Sequence, residues 1–207
     1  MHFTGLVPYP WNFFAIVTCL VAAIIFAWMF KRDKSYKAWL IVLGLSLTVI
    51  ADLWLVVLYH MHQRIIFAIL GVLFFLFTQL TYMTFLHDGV KSKKFRLDAK
   101  LRAIIAFILA CVAVAINAAF LQMNYLLVII GAVYIINLVM NIVFAWVNLK
   151  NRRYYLFFVG LVFFLACDIF VAMSFAGLKF NINWAWIFYI PSQTLIALSV
   201  LQTRKPT

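Results

Sequence analysis

The sequence contains no glutamate, and its five acidic residues are all aspartates. Its three cysteines include no Cys-x-x-Cys pair, so we expect neither a disulfide nor a metal site. It has no glycine-rich phosphate loop and no Gly-x-Ser-x-Gly elbow, which argues against the enzyme classes that depend on those motifs. The last apolar run contains no lysine, which excludes a retinal Schiff base of the rhodopsin kind.

Charge is also scarce: charged residues make up 11% of the chain and hydrophobic residues 68%, unlike a soluble domain. Apolar runs of about 20 residues recur along the whole chain, and each can cross roughly 30 Å of hydrocarbon. Seven such runs occur, at about 11–30, 38–59, 65–87, 102–120, 124–148, 154–177 and 184–202. The loops are too short for a soluble domain, so the sequence predicts one all-α transmembrane domain over 1–207, a bundle of seven helices.

Basic residues are concentrated in alternate loops. The first, third and fifth loops and the C-terminal tail are rich in lysine and arginine, whereas the other side has only Arg64 and Lys179. This positive-inside pattern places the N-terminus outside and the C-terminus in the cytoplasm. The net charge of +12 therefore indicates a basic membrane rim that favours anionic lipid head groups, and no nucleic-acid partner. We expect a multi-pass protein of a bacterial inner membrane.

Asp52 and Asp168 lie inside two of the apolar runs, and neither run contains a lysine or arginine. An ionisable side chain at membrane depth is costly and indicates a functional site. Two carboxyls that share one cavity cannot easily ionise together, so we expect at least one of them to be protonated near neutral pH. A protonated acid beside an ionised one suits general acid catalysis. The alternative is structural, with each aspartate hydrogen-bonded to a neighbouring helix.

Marker residues recur in the same order in two parts of the chain. Each part has, in order, an Ala-Trp pair, a basic loop, a Gly-Leu pair, an aspartate and a glutamine. In the first part these markers are Ala27-Trp28, Gly44-Leu45, Asp52 and Gln79, with the basic loop after Trp28. In the second part they are Ala145-Trp146, Gly160-Leu161, Asp168 and Gln193, with the basic loop after Trp146. This order predicts two parallel three-helix halves, about 11–87 and 124–202, with a linker helix at about 102–120. Asp52 and Asp168 would then be pseudo-symmetric mates at similar depth. The alternative is that apolar helices resemble one another by composition alone.

Four further polar residues are candidates for positioning water or substrate. Gln79 and Tyr82 lie three positions apart on one helix face, and Tyr189 and Gln193 lie four positions apart on another. Glutamine is costly in hydrocarbon unless it is hydrogen-bonded, so these side chains either serve the carboxyls or join helices. Tyr134, Asn137 and Asn141 share a face of the fifth span and are candidates of lower rank.

Together these residues resemble the YhhN family of membrane proteins, which includes lysoplasmalogenases. The likeness follows the chain in three motifs: Gly71-x3-Phe75-x3-Gln79-x2-Tyr82, Gly160-x3-Phe164-x3-Asp168 and Tyr189-x3-Gln193-x-Leu195-Ile196-Ala197. An aspartate late in an early span, here Asp52, also fits. The chain departs from the family pattern at Gln79, where histidine is usual, at Ala51, where glycine is usual, and in lacking the family's lysine-proline signature near the second span.

The resemblance implies hydrolysis of the vinyl ether of lysoplasmalogens to a fatty aldehyde and a glycerophospho-alcohol. Asp52 and Asp168 would divide the acid and base roles, while Gln79, Tyr82, Tyr189 and Gln193 would position water and the lysophospholipid. The resemblance implies no metal and no organic cofactor. Two other functions fit the sequence: a transporter built from parallel repeats, in which membrane carboxyls relay protons, and a non-catalytic lipid sensor.

Overall fold

The computed structural model describes residues 10–29, 36–87, 124–149, 154–175 and 183–202. These residues form helices and contain no strand. The main helices are α1 (Pro10–Met29), α2 (Tyr36–Asp52), α3 (Ile65–His87), α4 (Tyr125–Val147), α5 (Tyr155–Phe175) and α6 (Asn183–Gln202). They correspond to six of the seven predicted spans. The predicted linker helix at 102–120 and most of the basic loop residues lie outside the described residues.

Five segments are long and apolar enough to cross a membrane: Tyr36–Leu58, Ile65–Leu86, Tyr125–Val147, Tyr155–Met173 and Trp184–Gln202. The apolar stretch of α1, Phe13–Met29, is shorter. The chain is therefore an integral membrane protein, and the part of it that the structure describes is all-helical. Several hydroxyl groups inside these helices are satisfied locally. Each donates to the carbonyl four residues earlier, as in Thr18, Ser46, Thr81, Thr84 and Thr194.

Helix α2 changes its geometry directly after Asp52. Leu53–Leu58 is π-helical, and Tyr59–His62 is a short α-helical turn. The chain then reverses at Gln63, whose φ of 50° is left-handed and whose N–H donates to the carbonyl of Tyr59 at 2.7 Å. A π-helical turn inside a helix often marks a functional site. Here it makes Asp52 the last residue before the change in helical register.

Contacts between side chains fix the relative directions of the helices. In α2 and α3, Gly44 meets Tyr82, Thr48 meets Thr78 and Leu55 meets Gly71, so these two helices are antiparallel. Phe75 packs on Phe164 and Tyr82 packs on Phe157, so α3 and α5 are antiparallel. Phe164 packs on Tyr189 and Gly160 lies against Ile196, so α5 and α6 are also antiparallel. Phe75 meets Tyr134 and Gln79 meets Asn141, so α3 and α4 are parallel. It follows that α2 and α5 run in one direction, and α3, α4 and α6 in the other.

Glycines allow the closest of these approaches. A Cβ atom added at Gly44 would lie 2.1 Å from the Tyr82 ring, and one at Gly160 would lie 2.8 Å from Ile196. A Cβ atom at Gly71 would lie 2.7 Å from Cβ of Leu55. Small residues at helix interfaces are typical of membrane bundles, because they let neighbouring helices pack closely. The core between the helices is largely aromatic, with Tyr82, Phe85, Phe157 and Phe164 fully buried.

Candidate functional site

Asp52 is buried at the end of α2. The residue is 2% exposed, and its Oδ2 accepts a hydrogen bond of 2.7 Å from the hydroxyl of Tyr189 on α6. Its carboxyl does not cap the π-helical turn that follows it. Asp52 and Tyr189, both predicted site residues, are therefore brought together from helices that lie far apart in the sequence.

Asp168 lies in α5 and is less deeply buried than Asp52. Its Oδ2 accepts a hydrogen bond of 2.5 Å from the hydroxyl of Tyr134 on α4. A distance this short is typical of an O–H donor bonded to a carboxylate oxygen. Each of the two aspartates thus has a tyrosine from another helix as its partner.

The two aspartate–tyrosine pairs belong to one cluster. Their tyrosines are joined by a chain of ring contacts, from Tyr134 to Phe75 at 5.9 Å, from Phe75 to Phe164 at 5.7 Å, and from Phe164 to Tyr189 at 5.5 Å. The carboxyls are close enough to interact electrostatically. The contacts of α3 with α2 and with α5 define which residues lie at the same depth along the bundle. By these contacts Asp52 lies at the depth of Phe74 of α3, and Asp168 lies at the depth of Gly71. The carboxyls therefore differ in depth by about three residues, roughly 5 Å.

No cation of the described segments lies near this cluster. Lys37 and Arg64 are the basic residues within those segments. Lys37 begins α2, fifteen residues and roughly 22 Å of helix before Asp52, and Arg64 lies exposed in the turn before α3. Nor do the described residues contain three His, Cys, Asp or Glu side chains placed to hold a metal ion. The carboxyls thus have neutral hydroxyl donors around them, an arrangement compatible with one protonated and one ionised member.

Three buried amide side chains lie at one level of the bundle, about one helical turn beyond the carboxyls. They belong to Gln79, Asn141 and Gln193, and we call them the amide layer. The Asn141 Nδ2 donates both to the backbone carbonyl of Gln79, at 2.8 Å, and to its side-chain Oε1, at 2.9 Å. All three side chains are fully buried. Within the described part of the chain, Gln79 Nε2, Asn141 Oδ1 and both amide atoms of Gln193 have no hydrogen-bond partner.

Tyr82, also a predicted site residue, lies further along α3 than the carboxyls. Its ring is fully buried against Gly44 and packs edge-on against Phe157, with centroids 5.1 Å apart. It is two turns past Phe75, whose ring belongs to the carboxyl cluster. The structure therefore places Tyr82 near the amide layer and away from Asp52 and Asp168.

Two residues are more prominent in the structure than in the sequence. Tyr134 is the hydrogen-bond partner of Asp168, and Asn141 is that of Gln79. From the sequence both were candidates of lower rank, because a tyrosine and an asparagine on one helix face are common between packed helices. Their seven-residue spacing, two turns on one face, was the available signal. It could not reveal which carboxyl or amide each would meet.

Comparison with known proteins identifies the family of the chain. The sequence model of the YhhN family matches residues 11–200. The chain belongs to the YhhN family. No curated protein and no solved structure matches it. The residues of the three YhhN-like motifs are buried in the bundle, except Asp168 and Leu195, which are partly buried. Gln79, which replaces the usual histidine, uses its side-chain carbonyl to accept from Asn141.

Proposed function

We propose that this YhhN protein is a membrane hydrolase that cleaves the vinyl ether bond of lysoplasmalogens to a fatty aldehyde and a glycerophospho-alcohol. The observation that most supports the proposal is the pair of carboxyls, Asp52 and Asp168, each bonded to a tyrosine hydroxyl in one apolar cluster. Charged groups at this depth are too costly to be retained without a role. The substrate is itself a membrane lipid, so it reaches the cluster from the bilayer.

The chemistry of an enol ether needs the groups that this cluster provides. A neutral carboxyl transfers its proton to the β-carbon of the vinyl ether, and the electron pair of the double bond forms the new C–H bond. The resulting oxocarbenium ion is stabilised by the other carboxylate, which then accepts a proton from the attacking water. In the breakdown of the hemiacetal, the carboxyl that took the proton from water gives it to the glycerol oxygen, which leaves as an alcohol. The other carboxylate takes the proton of the hemiacetal hydroxyl as the C=O bond of the aldehyde forms. One water is consumed, and both carboxyls return to their starting states.

The tyrosines hold the carboxyls in place through this cycle. Each donates one hydrogen bond to an aspartate oxygen, which leaves the second oxygen of that carboxyl available for proton transfer. A donor that stays fixed while charge develops contributes to catalysis without reorganisation. Gln79, Tyr82 and Gln193 position the water and the lipid.

We further propose the complete seven-span topology, with the N-terminus outside, the C-terminus in the cytoplasm, and two parallel halves. Parallel α3 and α4 support it, because the chain between them must return across the membrane. The packing also recurs at corresponding positions: Gly44 meets Tyr82 in the first half, and Gly160 meets Ile196 in the second. The location proposed is a bacterial inner membrane, with membrane lipids as neighbours.

A direct assay of the purified protein tests the activity. We expect fatty aldehyde from a vinyl-ether lysolipid and no product from the corresponding ester lysolipid. In D2O the aldehyde, trapped at once by borohydride reduction, should carry one deuterium at the carbon next to the carbonyl, because the mechanism protonates that carbon. Absence of aldehyde would favour the transporter or the lipid sensor, and aldehyde without deuterium would exclude the proposed protonation.

The tyrosine hydroxyls provide a second test. Tyr134→Phe and Tyr189→Phe should each lower kcat by about ten- to a hundred-fold, because each removes one hydrogen bond to a carboxylate while keeping the ring contacts. Tyr125→Phe is the matched control, since Tyr125 begins α4 and is 57% exposed. If either cluster variant keeps the turnover of the control, its hydroxyl does not support the carboxyl.

A further inference from the structure

The amide layer presents unused hydrogen-bonding atoms in the middle of an apolar bundle. Gln193 is fully buried, and both its Nε2 donor and its Oε1 acceptor lack partners among the described residues. The Gln79 Nε2 donor and the Asn141 Oδ1 acceptor are also buried and also lack partners among the described residues. A buried polar group without a partner costs free energy, so nearly all such groups in proteins are satisfied. Four of them together indicate a site that takes a polar group.

The three amides lie at one depth, just beyond the carboxyl cluster. Gln193 lies one turn past Tyr189, and Gln79 one turn past Phe75, on parallel helices whose rings are linked through Phe164. Asn141 is bonded to Gln79 at the same depth. One turn of helix spans about 5.4 Å, so the amides begin roughly that far from the Asp52–Tyr189 pair.

The directions of the side chains bring the carboxyls and the amides closer together than this one helical turn. Side chains on a helix tilt toward its N-terminus. Gln79, Asn141 and Gln193 therefore tilt back toward the level of Phe75 and Tyr189. Asp52 and Asp168 are on the antiparallel helices α2 and α5, so they tilt the opposite way, toward the amides. One small molecule can therefore contact a carboxyl and an amide together.

We propose that the amide layer binds the free secondary hydroxyl of the glycerol in the lipid substrate. This inference rests on the proposed function and adds a subsite to it. A hydroxyl both donates and accepts, as a carboxamide does, so it can use an amide N–H and an amide carbonyl at once. A phosphate would need cationic or strong donor groups, which the described segments lack at this depth.

The covalent structure of the substrate agrees with this placement. In a lysoplasmalogen the secondary hydroxyl is separated from the ether oxygen by two carbons, so it lies within about one helical turn of the reacting bond. With the hydroxyl on the amides, the vinyl ether meets the carboxyls and the alkyl chain continues toward the π-helical end of α2. An acyl group on that oxygen would remove its donor and leave an amide acceptor unpaired. The amide layer would then select lysolipids over diradyl lipids.

The test compares two lipids on the full-length purified protein: 1-alkenyl-glycerophosphoethanolamine and its 2-deoxy analogue. The wild type should process the hydroxyl-bearing lipid with a kcat/KM at least about tenfold higher, because sites built around a hydroxyl reject analogues that lack it. The 2-deoxy vinyl ether lacks an electron-withdrawing hydroxyl and is intrinsically no harder to protonate. A lower rate therefore reports binding by the protein.

Gln193→Met supplies the second measurement. Methionine keeps the length of the side chain, and the change removes no hydrogen bond found in the described residues, so the fold should be retained. We expect the preference for the hydroxyl-bearing lipid to fall at least about fivefold, mainly through loss of rate on that lipid. Thr194→Val is the control, because Thr194 is the exposed neighbour whose hydroxyl donates to the Ile190 carbonyl of its own helix.

The outcomes separate the subsite from the activity. Equal rates of the wild type on the two lipids would overturn the subsite and leave the hydrolase intact. A Gln193→Met protein that loses rate equally on both lipids would show a purely structural glutamine and would also overturn it. If the wild type releases no aldehyde from either lipid, the proposed function fails and the subsite fails with it. If the variant does not fold, the wild-type comparison by itself can still overturn the subsite.

Discussion

Asp52→Asn and Asp168→Asn should each lower aldehyde release by about a thousandfold or more, since each removes a group that gives or takes a proton in the reaction. Asparagine has nearly the shape of aspartate, and its side-chain carbonyl can still accept the hydrogen bond from Tyr189 or Tyr134. The loss should therefore be chemical. Because the two carboxyls act as one unit, the double variant should be about as slow as either single variant. Turnover of the purified variants on a vinyl-ether lysolipid measures this.

Stability separates the catalytic role of these aspartates from a structural one. Asparagine cannot ionise, so the change removes the free-energy cost of burying a carboxyl beside another carboxyl. The thermal unfolding midpoint in detergent should therefore stay the same or rise. A structural aspartate would behave in the opposite way, with lower stability and little change in turnover per folded molecule. Either variant with turnover within about tenfold of the wild type would contradict the proposed mechanism.

Gly44→Ala should destabilise the protein by about 1–3 kcal/mol, the usual cost of overpacking a core. The added Cβ would lie 2.1 Å from Cε1 of Tyr82, and the Tyr82 ring has no room to move because it is fully buried against Phe157. Helices α2 and α3 would have to separate. Because Asp52 is two turns further along α2, activity should fall together with stability. Unfolding in detergent, followed by temperature or by titration with a denaturing detergent, measures the loss.

Gly131→Ala is the matched control on α4. A Cβ at Gly131 would meet no atom within 4 Å, so the change should be neutral or stabilise the helix by up to about 1 kcal/mol. A second substitution checks the assigned cause: Tyr82→Leu removes the colliding ring atom, so Gly44→Ala should cost less in that background. Equal costs in both backgrounds would mean that the Tyr82 contact is not the source of the strain.

The two carboxyls differ in their surroundings, which bears on their roles. If the halves are related as proposed, Phe75 is the counterpart of Tyr189, so the first half supplies a phenyl ring where the second supplies a hydroxyl. Asp168 instead receives its hydrogen bond from Tyr134 on α4. It is also less deeply buried than Asp52. Environments that differ in this way let two similar carboxyls take different roles in one reaction.

The sequence by itself determined the membrane character and the positions of the described helices, and it selected the two aspartates as candidates. Apolar runs of about 20 residues are a strong signal, because every backbone polar group in hydrocarbon must be satisfied within a helix. The predicted span 65–87 coincides with α3, and the spans predicted for α1, α4, α5 and α6 differ from those helices by at most two residues at each end. The predicted span 38–59 corresponds to α2 together with the π-helical turn that follows it, Tyr36–Leu58. Likewise, a carboxyl without a cation in such a run is unusual in any fold. The order of the motifs was sufficient to identify the YhhN family, and the match of the family model over residues 11–200 confirms that prediction.

Only the tertiary structure decided which polar groups meet. The sequence has no signal for the partner of a side chain on another helix, because these helices are apolar on nearly all faces and their rotation is set by packing. Thus Tyr189 meets Asp52 across 137 positions, and Tyr134, a residue of low rank in the sequence, meets Asp168. The same packing turned Tyr82 toward Gly44 and joined Asn141 to Gln79. Close approach at small residues fixed these rotations, and the hydrogen bonds of the site follow from them.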